Sequence, residues 1–85
     1  MKYYAISYDL NKQDKNYDGL YDAIKNFNYY HVMDSVWFIK TNFTSLEVYN
    51  KLKPQIDTND FLFVSEINSN YYGFLQKDVW NWLKI

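Results

Sequence analysis

Residues 2–9 alternate: Tyr4, Ile6 and Tyr8 fall on one side of an extended chain, and Tyr3, Ala5, Ser7 and Asp9 on the other. This period of two predicts a strand. Residues 10–15 are mostly polar and predict a loop. From Asn16 the period changes. Tyr17, Leu20, Tyr21, Ile24 and Phe27 recur at helical spacing. Asn16 is placed as N-cap, Asp18 in the first turn complements the helix dipole, and an asparagine near 26–28 closes the helix. Residues 29–33 and 36–41 read as two short strands meeting at Asp34-Ser35, or as one long strand. Thr44-Ser45-Leu46-Glu47 has the capping-box pattern, so a second helix starts there. Leu46, Tyr49, Leu52 and Ile56 are its expected buried stripe, and Pro54 disfavours helical backbone at Lys53. Asp57-Thr58-Asn59-Asp60 predicts a turn and 61–67 a core strand. Residues 76–84 predict a short terminal helix with Val79, Trp82 and Leu83 on one side.

The order is β-α-β-β-α-β plus a tail. It predicts an α+β, ferredoxin-like sandwich in a single domain, 1–85, with a core of 1–67 and an aromatic C-terminal tail of 68–85. Helices in that arrangement cover one face of the sheet. The last strand, however, is apolar on both faces: Phe61 and Phe63 on one, Leu62 and Val64 on the other. Phe38 stands against Trp37 and Ile39 in the same way. A strand apolar on both sides needs both covered. The expected cover is a second copy, as a two-fold homodimer, or the aromatic tail itself.

Composition narrows the chemistry. Of 85 residues, 19 are aromatic (10 Tyr, 6 Phe, 3 Trp), which gives a small chain large burial per residue. With Cys 0 and His 1, disulfides, thiolate metal sites, Cys nucleophiles and His-rich zinc sites are excluded. No apolar run approaches ~20 residues, and the N-terminal segment lacks a signal-peptide layout, so the expectation is a cytoplasmic protein with no membrane association. The nine basic residues are all Lys and face ten acidic ones. Absence of Arg, with a slightly acidic balance, argues against tight electrostatic nucleic-acid binding, but it does not exclude a nuclease whose catalytic face is acidic because it holds a metal.

Asp9 is the sharpest candidate. A carboxylate at a strand end is well placed to hold Mg²⁺ beside a phosphate, and in a two-fold dimer two Asp9 side chains can share one ion. The competing reading has Asp9 capping the loop through the backbone of Asn11 or Lys12. His31, Asp34 and Ser35 form the next cluster: His31 as general base, Asp34 as second metal ligand, Ser35 positioning phosphate or water. The competing reading makes Asp34-Ser35 a plain turn and leaves His31 on an edge strand. No nucleophile-elbow motif surrounds Ser35. Lys12, Lys15, Lys51 and Lys53 are scattered and read as solvated surface. The rings of Tyr71, Tyr72, Phe74, Trp80 and Trp82 have the spacing of packing rather than of base stacking.

The pattern Tyr8-Asp9-Leu10-Asn11-Lys12, then Tyr17, Leu20, Ala23-Ile24-Lys25, His31, Asp34-Ser35-Val36-Trp37-Phe38-Ile39-Lys40-Thr41, Lys51-Leu52-Lys53-Pro54 and Asn59-Asp60 covers nearly the whole chain. It resembles the SinR-like proteins, relatives of the small CRISPR-adaptation subunit, the second Cas protein. A hydrophobic strand ending Tyr8-Asp9 and the segment Ser35-Val36-Trp37 are also similar to the VapD toxin ribonucleases. The resemblance implies a ferredoxin-like homodimer, with Asp9 as the metal-site aspartate and Ser35 nearby. Those relatives include metal-dependent ribonucleases and deoxyribonucleases, and structural DNA-binding dimers. The sequence departs from the CRISPR subunit in having no Arg and in ending on a Trp-rich, helix-like segment where relatives have a swapped strand. Two functions are therefore expected: a Mg²⁺-dependent endonuclease acting on RNA or DNA, or a non-catalytic module that binds a protein partner in phage defence or counter-defence.

Overall fold

The computed structural model describes residues 1–12 and 16–84. Lys15, one of the lysines weighed above for phosphate contact, lies outside them. The order of elements is β1 (Lys2–Asp9), α1 (Asp18–Lys25), β2 (Asn28–Met33), β3 (Val36–Thr41), α2 (Ser45–Leu52), β4 (Phe61–Ile67) and α3 (Lys77–Leu83). The four strands make one antiparallel sheet in the order β2-β3-β1-β4. The protein is thus a small α+β protein. Among the described residues, no helix is long and apolar enough to cross a membrane.

The alternation in β1 decides which side chains meet the helices. Tyr4 and Ile6 point inward with Trp37 and Ile39 of β3, and pack against Leu20 and Ile24 of α1 and Val48 and Leu52 of α2. Tyr17, Leu20, Tyr21, Ile24 and Phe27 are all buried or half-buried, as their spacing predicts. Positions 29–41 form two strands, with an irregular register between His31 and Met33 as the chain enters the Asp34-Ser35 turn. Asn16 does bond the start of α1, its side chain accepting from the Asp18 N–H at 2.7 Å, although the cap position itself is Tyr17.

Two expectations about α2 are corrected. The capping box forms as predicted: the Thr44 hydroxyl accepts from the Glu47 N–H at 3.1 Å, and the Glu47 carboxylate accepts from the Thr44 N–H at 2.9 Å. The buried stripe, however, is Val48 and Leu52, continued by Ile56, while Leu46 is 64% exposed. Four-residue steps back from Ile56 land on Leu52 and Val48, which leaves Leu46 in the first turn pointing outward. The α-helix does stop at Leu52, where Pro54 predicts its end, but Pro54 does not push Lys53 out of the helical region. Lys53 keeps φ −54 and ψ −40, and Lys53–Gln55 form a 3-10 turn with Pro54 near its start, where the missing N–H costs nothing.

The tail answers part of the uncovered-face problem. Trp82 of α3 meets the rings of Tyr3 and Tyr30, both at 6.2 Å, and the Lys40 ammonium lies 4.4 Å from the Trp82 ring. Val79 and Leu83 are fully buried. Thus α3 covers the β2 side of the second face. Phe61 and Phe63 on β4, at the opposite edge, remain 72% and 66% exposed.

Candidate functional site

The predicted site residues gather at one end of the sheet. β1 finishes at Asp9, whose cross-strand partner is Phe61 at the start of β4. On the other side, the Tyr8 N–H donates to the Ser35 carbonyl at 3.1 Å, which draws the β2–β3 turn alongside the end of β1. Asp9, Ser35, Asp34 and His31 are all exposed there.

They divide between the two faces of the sheet. His31 lies directly across from Trp37, and the rings stack at 3.8 Å with 8° between planes. Trp37 belongs to the helix-covered face, so His31 does too. Tyr8 shares that face: it accepts the Trp37 indole N–H at 3.0 Å and donates to the Asp34 carbonyl at 3.0 Å. His31 Nε2 is 3.2 Å from the same carbonyl. Two side chains thereby hold the turn through one backbone oxygen. Burial pushes the Tyr8 phenol above its ordinary pKa, and the Trp37 indole only partly offsets this. Tyr8, Tyr21, Lys25, His31, Asp34 and Trp37 line a hollow of about 280 Å³.

Asp9 follows Tyr8 by one residue and so belongs to the other face. There it lines a shallow hollow of about 440 Å³ with Ser7, Phe61 and Phe63. His31 and Asp9 are therefore not partners in one cluster. Among the described residues, no group of three or more His, Cys, Asp or Glu side chains is arranged to hold a metal within one chain.

The loop-capping role weighed for Asp9 falls to another aspartate. Asp60 Oδ1 accepts from the Asn11 N–H and from the Tyr17 hydroxyl, both at 2.8 Å, and Oδ2 accepts from the Asp57 N–H at 2.8 Å. Burial favours the neutral acid, but these three donors outweigh it and hold the Asp60 carboxyl below its ordinary value. The Lys12 ammonium adds an ion pair with Asp57 at 3.0 Å. The residues 57–60 were legible as a turn; nothing local in the sequence announces that the turn reaches Asn11. Tyr8, Tyr21 and Trp37 were equally hidden, because a ring that lines a hollow has the same periodicity as one that fills a core.

No known family profile matches the chain. Among solved structures, the fold is similar to the crystal structure of a hypothetical protein, TT1823, from Thermus thermophilus, with a TM-score of 0.68 and 20% identity over 88% of this chain and 94% of that one. At that identity the likeness bears on the fold alone.

Proposed function

We propose that the protein is a ferredoxin-like homodimer of the SinR-like kind, related to the second Cas protein and to VapD toxins, and that it is a Mg²⁺-dependent phosphodiesterase acting on RNA or DNA. The observation that carries this reading is the position of Asp9, exposed at the end of β1 beside the uncovered rings of Phe61 and Phe63. The strand order β2-β3-β1-β4 supports the ferredoxin-like assignment. Edge strand β4 offers an apolar strip to a second copy, and a two-fold axis there brings two Asp9 carboxylates toward one another. Mg²⁺ takes one or two carboxylates and completes its shell with water and phosphate oxygens, so one Asp9 from each chain is a sufficient protein share. Ser35, in the adjoining turn, is assigned to positioning phosphate or water, and Asp34, which lines the helix-side hollow, is left out of the metal step. His31, on that same helix-covered face, is left out as well.

The test is cleavage of labelled single-stranded RNA and double-stranded DNA with Mg²⁺, Mn²⁺ or EDTA, comparing wild type with identically purified Asp9→Asn. Metal-dependent cleavage in the wild type that falls by about 10²-fold or more in the variant is expected, the scale of losing a directly acting group. Equal cleavage by both proteins refutes the role of Asp9.

A second reading rests on a separate observation. Tyr72 and Phe74 are fully exposed, and Phe61 and Phe63 largely so. Such an aromatic surface suits a non-catalytic module that binds a protein, in phage defence or counter-defence. Absence of cleavage in every arm, with recovery of a protein partner, favours it.

A further inference from the structure

The hollow on the helix side of the sheet is separate from Asp9 and has a different chemistry. Trp37 is its floor, only 3% exposed. Three rings flank that indole: His31 stacked at 3.8 Å, Tyr21 nearly parallel at 6.1 Å and Tyr29 tilted at 5.6 Å. His31 is exposed, so one face of its ring lies on Trp37 while the other meets solvent. Its orientation is fixed by Nε2 against the Asp34 carbonyl, at 3.2 Å. Tyr8 is committed to Trp37 and to Asp34 and holds the same framework still. Lys25 and Asp34, both exposed, bring one positive and one negative group to the rim. At about 280 Å³ the hollow sits at the small end of ligand sites, with room for one planar ring system rather than a length of strand.

We infer that His31, backed by Trp37, is a stacking platform for a single nucleobase, with Lys25 placed to meet the phosphate attached to it. The inference rests on the nucleic-acid reading above and adds a subsite to it. An aromatic ring already locked in place loses little freedom when a base stacks on it, and the base must be unpaired to present its face. The ligand is therefore the base of a free nucleotide or an unpaired base in a strand. A duplex offers no such face.

Binding is measured in EDTA, where metal-dependent cleavage is silent. Labelled single-stranded RNA is titrated by fluorescence anisotropy beside its duplex and an abasic strand of the same length. AMP and ribose 5-phosphate are titrated by calorimetry. The single strand is expected to bind more tightly than the duplex and the abasic strand. AMP binding more tightly than ribose 5-phosphate identifies a free nucleotide as a ligand, and binding of the strand alone identifies the strand; both outcomes support the platform. His31→Ala is expected to weaken binding about 5- to 100-fold, the equivalent of one base stack, while His31→Phe stays within about threefold of wild type. A thermal melt of each variant checks that the fold survives. Equal binding of ligands with and without the base overturns the inference, as does an unchanged His31→Ala or a His31→Phe as weak as His31→Ala. The titrations contain no cleavage step, so failure of Asp9→Asn to affect cleavage leaves the binding result standing, while unchanged binding by His31→Ala overturns the platform without bearing on the role of Asp9.

Discussion

A buried aspartate must replace much of its carboxylate's water with other donors, and Asp60, a residue only 7% exposed, does so with two backbone N–H groups and one phenol. Those donors come from three stretches of chain: Asn11 after β1, Tyr17 before α1, and Asp57 in its own turn. Asp60 thus ties the loops at one end of the sheet, and its partner Asn11 is 49 residues distant in sequence. Its carboxyl is held below the ordinary value, so the ionised form is favoured more in the folded state than in the unfolded chain. The stability this contributes is fully present above the unfolded carboxyl pKa of about 4 and is lost as pH falls through the folded value. Asp60→Asn is expected to lower the melting temperature at pH 7, because the amide presents an N–H₂ where three donors converge. It is also expected to flatten the fall in melting temperature below about pH 4 that the wild type shows. Circular-dichroism melts from pH 7 to pH 2 check both effects. An acid limb as steep in the variant as in the wild type would rule Asp60 out as its source.

At the scale of elements, local signals proved readable where the deciding contacts are themselves local. The capping box at Thr44 and Glu47 needs only four consecutive residues, and it forms with both reciprocal bonds. The strands 36–41 and 61–67 follow from β-branched and aromatic runs bounded by polar turns, and the structure has them at Val36–Thr41 and Phe61–Ile67. The buried face of α2 was not readable in this way. Leu46 and Val48 are both apolar and each starts a stripe of helical spacing that reaches Leu52, and the packing against the sheet selects the one through Val48. The β1–β4 end of the sheet was hidden for the same reason, since Asp60 finds its partner through tertiary contact. The helix cap gives a direct measure of the local contribution. Thr44→Ala removes the acceptor for the Glu47 N–H and half of the reciprocal pair. The expected cost is about 1 kcal/mol. In a domain of this size that is a fall of roughly 4–8 °C in melting temperature. Thr44→Ser, which keeps the hydroxyl, is expected to stay close to wild type, and a drop as large as that of alanine would mean that the methyl packing of Thr44 matters more than its cap.

The whole molecule is asymmetric about its sheet. One face is closed by α1 and α2, whose buried Leu20, Ile24, Val48 and Leu52 complete the core with Tyr4, Ile6, Trp37 and Ile39. Among the described residues, the other is closed on the β2 side, by Trp82, Val79 and Leu83 of α3. The doubly apolar pattern of the last strand anticipated that something must cover the second face, and left open whether tail or partner would do it. The tail covers one edge and leaves Phe61 and Phe63 on the other. In the homodimer proposed above, a two-fold related copy of the same strip is the cover for these two rings. In solution the chain is then expected to sediment at about twice its 10.4 kDa. The double substitution Phe61→Glu with Phe63→Glu places like charges across that axis and is expected to yield monomer, with circular dichroism unchanged because neither ring enters the core. If the paired Asp9 carboxylates hold the metal, the same variant loses metal-dependent cleavage without any change at Asp9. Sedimentation velocity together with the cleavage assay separates the outcomes. A wild-type monomer refutes the dimer. A monomeric variant that still cleaves refutes the shared metal while leaving the interface intact as an assembly contact.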